Sequence, residues 1–371
     1  MGGAETVCIN IAYSLKELGY HVTLLTFCKP KHLTDSVYDE IYYFTPFEVS
    51  SGTTLLSSIM EFYAALKFAN DSLIVNTAPF CNLMLIGDIN YIHFPYFLSE
   101  TIYNNKLGRR VYGYLAYALS QILNHIMRFK NSGGLPHKIF LFNSKFTYLV
   151  TKKLTEFSDT NLDISLGYNA FILYPPVNVK KYLDFTLKPF NDRKDQVVTI
   201  SRIAPDKQLD LVVKIAQEVR EKVNFVIAGR LQSMKYFTKL KKMIKDNNLC
   251  DTIHIYPNIS ESDKVNLLLN SKIYLHTKIM EHFGITIVEA MSLGAIPIAH
   301  NSGGVKEILP RPFLYHTPEE AAALIENLLD NPKPSAHIQH MLRNTALKYD
   351  SEEFKRKLKK MICNLNQKFK K

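Results

Sequence analysis

The stretch Glu281-His282-Phe283-Gly284-Ile285-Thr286-Ile287-Val288-Glu289-Ala290-Met291-Ser292-Leu293-Gly294 decides how the chain is read. On one continuous helix its two carboxylates would lie about 80° apart around the axis and more than two turns from each other. The Phe283-Gly284 pair argues instead for a loop carrying Glu281 that turns at Gly284 into a helix bearing Glu289 near its start. A helix beginning near Phe283 to Ile285 would present its first N–H groups and positive dipole end to the space Glu281 overlooks. Such a corner suits a ligand that is both phosphorylated and rich in hydroxyls. The N–H groups take phosphate, and the carboxylates accept from sugar or ribose hydroxyls. By residue type alone, a loop Glu and a helix Glu are equally what a solvated surface carries.

The flanking sequence tips the balance towards a site. Lys272-Ile273-Tyr274-Leu275-His276 reads as a strand, and Pro297-Ile298-Ala299-His300 as another. Asn301-Ser302-Gly303-Gly304-Val305 then reads as a Gly-rich turn into a further helix. Strand, loop, helix, strand, turn and helix make a βαβ unit, whose ligand edge is the carboxyl end of its strands.

Glu-x7-Glu with Phe-Gly inside it and Gly-Gly behind it resembles the retaining GT-B glycosyltransferases of the large family that includes sucrose synthase and the lipid-linked-glycan mannosyltransferases. The wording Glu281-His282-Phe283-Gly284-Ile285, followed by Ala299-His300-Asn301-Ser302-Gly303-Gly304, most resembles the branch adding α-1,2-mannose to dolichol-linked oligosaccharide. The resemblance covers nearly the whole chain, strongly in the second half and weakly in the first. It implies an α/β fold of the GT-B type, two Rossmann-like domains facing across a cleft. Residues 1–175, with a terminal helix 351–371 crossing back, would form the acceptor side, and residues 176–350 the nucleotide-sugar side. It further implies a nucleotide-sugar donor, GDP-mannose ahead of UDP-sugars, and a lipid-linked or glycan acceptor. No cofactor is expected, and with no Asp-x-Asp motif no essential metal either.

Composition sets the outer bounds. The 371 residues are enough for two α/β domains with separate cores. Apolar residues at 47 % and charged ones at 21 % are those of a globular protein. Cys8, Cys28, Cys81, Cys250 and Cys363 are scattered without metal spacing and read as reduced thiols of a cytoplasmic protein. No apolar run is long enough to span a bilayer. The net charge of +11 calls for an anionic partner. No nucleic-acid-binding signature accompanies it, which leaves phosphorylated substrates and an anionic membrane surface.

In chain order, Met1-Gly2-Gly3 precedes a helical pattern with no strand before it. The family places such a turn after the first strand, so that strand is missing and the true start is expected upstream. Gly2 and Gly3 would form a turn where the backbone comes close to the donor phosphate or the acceptor. A helix is expected at about Leu55–Asn70. His93 closes the strand Asn90–Ile92; the family puts a His there beside the reacting sugar, whereas a lone His on an apolar strand is otherwise a core residue. Residues 106–130, apolar, Tyr-rich and flanked by Lys106, Arg109, Arg110, Arg128 and Lys130, read either as an interfacial membrane helix or as a core helix. Pro175-Pro176 marks the boundary between domains. The buried-strand pattern Val197–Ile200 delivers Arg202 and Lys207 to one loop, a diphosphate clamp in the family, with Gln208 where the family has Gly. Gly229 ends another strand at the ligand edge, and Tyr256 lies in the segment that holds the nucleotide base in the family. The candidate catalytic set is His93, Glu281, Arg202 and Lys207. Donor binding adds Gly2, Gly3, Gly229, Tyr256, Phe283, Gly284, Ile285 and Glu289. An epimerase of the same architecture and a non-catalytic nucleotide-sugar binder are the competing readings.

Overall fold

The computed structural model describes residues 3–28, 37–45, 72–77, 87–94, 139–156, 169–220 and 223–369. They gather into two units, Met1–Pro176 with Glu352–Lys371, and Val177–Ser351.

In the first unit, helix α1 (Gly3–Glu17) precedes strand β1 (Thr23–Cys28), which pairs in parallel with β2 (Glu40–Thr45). A second parallel sheet runs β3 (Val75–Asn76), β4 (Ile89–Ile92), β5 (Ile139–Phe142) and β6 (Ala170–Ile172), with helix α2 (Lys145–Glu156) after β5. Val7, Ile11 and Leu15 recur every fourth residue on α1, giving it one apolar stripe. That stripe shares a core with Ile89, Tyr91 and Leu141 of the sheet and with Phe354, Leu358 and Ile362 of the terminal helix Ser351–Phe369. Ser144 caps α2, its Oγ accepting from Thr147 N at 3.0 Å. The expected helix at Leu55–Asn70 and the stretch 106–130 lie outside the described residues.

The second unit alternates strand and helix. Its elements are α3 (Val179–Leu183), β7 (Lys194–Ile200), α4 (Asp210–Glu218), β8 (Asn224–Gly229), α5 (Met234–Asp246), β9 (Ile253–Pro257), α6 (Glu261–Asn270), β10 (Ser271–His276), α7 (Ile285–Leu293), β11 (Ile296–His300), β12 (Leu314–Tyr315), α8 (Pro318–Asp330) and α9 (Pro332–Ala346). The six strands form one parallel sheet in the order β12-β11-β10-β7-β8-β9. From β7 the chain winds outward through β8 and β9, then returns to β10 on the other side of β7. The switch point of this doubly wound sheet therefore lies between β7 and β10, where crossovers depart in opposite directions and leave a crevice at the carboxyl ends. Residues 196–200 of β7 and all of β10 are buried on both faces, as helix-covered parallel strands are.

Helix α7 sits at the centre of this unit, and all but its first two residues are buried. Its two ends differ. At the C-terminus Gly294 adopts φ +82°, and the buried Arg193 donates to the carbonyl of Leu293 at 2.8 Å, as well as to those of Lys188, Leu268 and Ser271. A cation on the negative end of the dipole, itself anchored by three carbonyls of other segments, fixes that end. No side chain caps the N-terminus, where Gly284 turns with φ +106°. Residues 303–307 form a short 3-10 turn rather than the α-helix expected after the Gly-Gly pair. Pro310 limits how far it can continue.

Candidate active site

The loops leaving β7 and β10 meet at the switch point. After β7, a 3-10 turn spans Pro205–Lys207, and Gln208 takes the left-handed conformation (φ +51°), which Gly adopts without strain. Its side chain offsets part of that strain by fastening the neighbouring loop, Oε1 accepting from Ile279 N at 2.7 Å. Thr277 Oγ1 donates to Lys207 O at 2.8 Å and joins the same two loops again. From the other side, Gly304 N donates to Glu281 O at 2.7 Å. A Cβ on Gly303 or Gly304 would come within 2.3 or 2.1 Å of the carbonyl oxygens of Glu281 and His282. The glycines are there so that this turn can press backbone to backbone on the Glu281 loop.

Glu281 is only 8 % exposed and is ringed by nitrogen. Oε2 lies 3.1 Å from Lys207 Nζ and 3.4 Å from His276 Nε2. Oε1 lies 3.4 Å from Lys278 Nζ and accepts from His282 N at 3.0 Å. Burial works against the charged carboxylate, but His276, Lys207 and Lys278 overcome it and hold Glu281 well below the usual carboxylate range. Burial lowers the pKa of His276 and of Lys278. The His276 ring turns Nε2 to Glu281 Oε2 without a well-formed hydrogen bond. Its Nδ1 is 3.2 Å from Tyr274 Oη, which lies 2.7 Å from Thr286 Oγ1 in the first turn of α7. A continuous polar chain thus joins Glu281 to the helix start.

One turn further along α7, Glu289 is also 8 % exposed. Lys264 Nζ approaches its Oε1 at 2.8 Å, and Tyr182 Oη donates to the same oxygen at 3.1 Å. Lys264 is itself paired with Glu261 at 2.7 Å. Phe283 is buried with its ring edge-on to Tyr349, so a ligand could meet Phe283 only through its backbone.

Arg202 does not join Lys207. Its half-exposed guanidinium binds Asp206 Oδ2 at 2.9 Å and Gln232 Oε1. Gly229 (φ +143°) abuts Ser201 at the foot of the Arg202 loop, where a Cβ would lie 2.0 Å from the Ser201 carbonyl oxygen. Tyr256, near the end of β9, is 48 % exposed.

In the first unit, His93 follows β4. Burial pushes its pKa down to about 4, against a hydrogen bond with the Thr77 backbone. Its Nε2 is buried and has no hydrogen-bond partner among the described residues. Gly3 is the exposed first residue of α1, and Gly2 lies outside the described residues.

Several residues around the two carboxylates escaped the sequence reading: His276, Lys278, Lys264, Tyr182 and Thr286. Lys278 could have been noticed as a cation three positions before Glu281. Lys264 and Tyr182 are 25 and 107 positions from Glu289 and carry no local signal. Among the described residues no group of three or more His, Cys, Asp or Glu is arranged to hold a metal ion.

Comparison with known proteins fits this geometry. Residues 184–346 match the family described as Glycosyl transferases group 1. A Dictyostelium discoideum protein named GDP-Man:Man(3)GlcNAc(2)-PP-Dol alpha-1,2-mannosyltransferase is 27 % identical over 300 residues, 73 % of this chain and 58 % of that protein. The human alpha-1,3/1,6-mannosyltransferase ALG2 is 29 % identical over 45 % of this chain and 43 % of its own length. The chain thus spans about half the length of such relatives. The Schizosaccharomyces pombe phosphatidylinositol N-acetylglucosaminyltransferase gpi3 subunit is 23 % identical over 98 % of this chain and 79 % of its own. Among solved structures, Anabaena HepE in complex with UDP superposes with a TM-score of 0.70 at 15 % identity, covering 98 % of this chain and 96 % of that one. WaaG, a glycosyltransferase involved in lipopolysaccharide biosynthesis, does so at 0.66 and 14 %, covering 98 % and 96 %. At those identities the likeness is one of fold. Residues 184–346 are thus similar to the glycosyl transferases group 1 family, on a chain of the GT-B fold.

Proposed function

We propose that this chain transfers a hexose, mannose foremost, from a nucleotide sugar to a lipid-linked glycan or glycolipid acceptor, with retention of anomeric configuration. The observation that carries the reading is the meeting of Lys207 and Glu281 beside the uncapped N-terminus of α7 at the switch point of the sheet. Lys207, with the helix N-terminus, neutralises the charge that grows on the leaving diphosphate as the glycosidic bond breaks. Arg202 adds its exposed guanidinium when it turns from Asp206 to phosphate. Glu281 receives the donor sugar's hydroxyls, and Glu289 the ribose, through Oε2, the oxygen that Lys264 and Tyr182 leave to it. Gly229 and Tyr256 border the nucleotide. Among the described residues no group is set up as a covalent nucleophile, in keeping with attack from the face the leaving group vacates. The lysines supply the positive charge, so the reaction needs no metal. His93 is a candidate on its own unit, where a neutral ring with an unpartnered Nε2 can accept a hydrogen bond.

Two relatives are named for dolichol- and phosphatidylinositol-linked acceptors, which supports a lipid-borne acceptor here. Among the described residues no helix is long and apolar enough to cross a membrane. A peripheral position on the cytoplasmic face is the matching proposal. Helix α5 suits it, with exposed Lys235, Lys239, Lys241, Lys242 and Lys245 and with Met234 63 % exposed at its start. UDP-sugars are the second choice of donor, since HepE holds UDP and UDP-glucose.

A thermal-shift panel of nucleotide sugars tests the donor. A ligand at about a hundred times its dissociation constant adds about 2.7 kcal/mol of stability. The largest shift is expected with GDP-mannose, and it should shrink in Lys207→Ala and Arg202→Ala. A full shift in both variants would contradict the site. Interconversion of free nucleotide sugars without any acceptor would replace transfer by epimerisation.

A further inference from the structure

We propose that Lys278 is a second diphosphate-binding cation, held by Glu281 until the ligand arrives and responsible for selecting a diphosphate over a monophosphate. The inference rests on the donor reading above and adds to it a residue of this chain. Lys278 leaves the β10 loop directly after Thr277, the residue that hydrogen-bonds to the Lys207 backbone. The two ammonium groups consequently sit on different oxygens of one carboxylate, Lys207 at 3.1 Å from Oε2 and Lys278 at 3.4 Å from Oε1. Both side chains are mostly buried, at 17 % and 14 % exposure. The count of charge does not close. His276 is the remaining ionisable neighbour and can add no negative charge, while Asp206, the next carboxylate along, is taken by Arg202. Two cations against one anion leave a buried excess of about one positive charge, which is costly without a further anion.

An incoming diphosphate supplies that anion. One phosphate can engage Lys207 and the helix start, and the second phosphate extends the reach to Lys278. The exchange has a second effect. In the free protein Glu281 Oε1 already accepts from both Lys278 and the His282 N–H, so a sugar hydroxyl has no open lone pair on that oxygen. When Lys278 moves to phosphate, Oε1 becomes available, and diphosphate binding prepares the carboxylate that reads the sugar.

Calorimetric titration of the whole chain with GDP and GMP, and with UDP and UMP as a second pair, tests the assignment. The readout is the diphosphate-to-monophosphate affinity ratio. Lys278→Met is expected to weaken the diphosphate about tenfold while the monophosphate changes less than about threefold. Lys278→Arg should restore most of the ratio, because it keeps the charge. A merely structural role would weaken both ligands in parallel, or neither, and either result overturns the inference. Lys207→Met separates the two levels of the argument. If it loses diphosphate binding while Lys278→Met keeps the full ratio, the donor site stands and the role of Lys278 falls. If the wild type binds none of the four nucleotides, the donor reading falls and this inference with it.

Discussion

Glu281 and Glu289 are equally buried, yet they are wired in opposite ways. Glu281 is approached at both oxygens, by Lys207 and His276 at one and by Lys278 and its neighbour's N–H at the other. Glu289 is held by a single oxygen, which both Lys264 and Tyr182 approach. Burial alone would rank the two alike. Partner geometry separates a carboxylate that organises cations from one that is oriented to receive a ligand. The first sits in the loop, where its charge shapes the phosphate site. The second sits on the helix, whose rigidity makes a one-oxygen grip sufficient to aim the other oxygen.

The contrast breaks most readily under charge removal. Glu281→Gln leaves Lys207 and Lys278 buried against an amide, each without its counter-ion. The expected loss is about 3–5 kcal/mol, the usual result of orphaning a buried charge. Glu289→Gln should cost much less, about 1 kcal/mol, because Lys264 keeps Glu261. Urea denaturation of the two variants measures the difference, and equal losses would erase the distinction between them.

Ligand affinity sharpens the contrast in the other direction. Glu289→Gln is expected to weaken nucleoside diphosphate binding by about tenfold or more, since a charged acceptor for the ribose becomes a neutral amide. Calorimetry with GDP and with UDP reads this, and unchanged affinity for both would remove Glu289 from the ligand. Tyr182→Phe is the smaller version. It deletes one of the two hydrogen bonds on Oε1 and should cost about 1 kcal/mol in binding, with little change in the urea midpoint. If Tyr182 merely packs α3 against α7, the midpoint will move and the affinity will not.

How much of this the sequence disclosed depends on how local each signal is. The alternation of strand and helix and the corner at Gly284 are written in runs of adjacent residues, and α7 begins at Ile285, where that reading has it. The Lys207–Glu281 contact spans 74 positions, but each partner sits at the end of a recognisable strand, so topology brings them together. Arg202 sits on an equally legible strand end and still goes elsewhere, because Asp206 and Gln232 offer it nearer partners that strand patterns do not encode. Tyr182 and Lys264 were illegible for a different reason. Each lies on a helix whose own pattern explains it, and only the packing of α3 and α6 against α7 gives them Glu289. The short 3-10 turn at 303–307 was misread as a helix because the Gly-Gly pair carries two messages. It starts a turn, and it also supplies the flat backbone that the Glu281 loop requires.

The smallest expected effect is an absence of change, and it isolates the electrostatics of Glu281. Its carboxyl is held well below the ordinary value of 4.5 that it regains on unfolding. Below both values the folded and unfolded states bind the proton equally and the contribution vanishes. Above 4.5 both are ionised and the contribution is complete. The stability difference between wild type and Glu281→Gln should therefore stay level, within about 0.5 kcal/mol, from pH 7 to pH 5. It should shrink only as the pH falls through 4.5 towards the folded-state value. A difference that grows between pH 7 and pH 6 would mean that His276 takes up a proton beside the carboxylate, since a histidine held charged by Glu281 adds stability as the pH falls. In that case the ring around Glu281 would contain three cations and not two, and the buried charge excess that draws a diphosphate would be larger than the lysines alone provide.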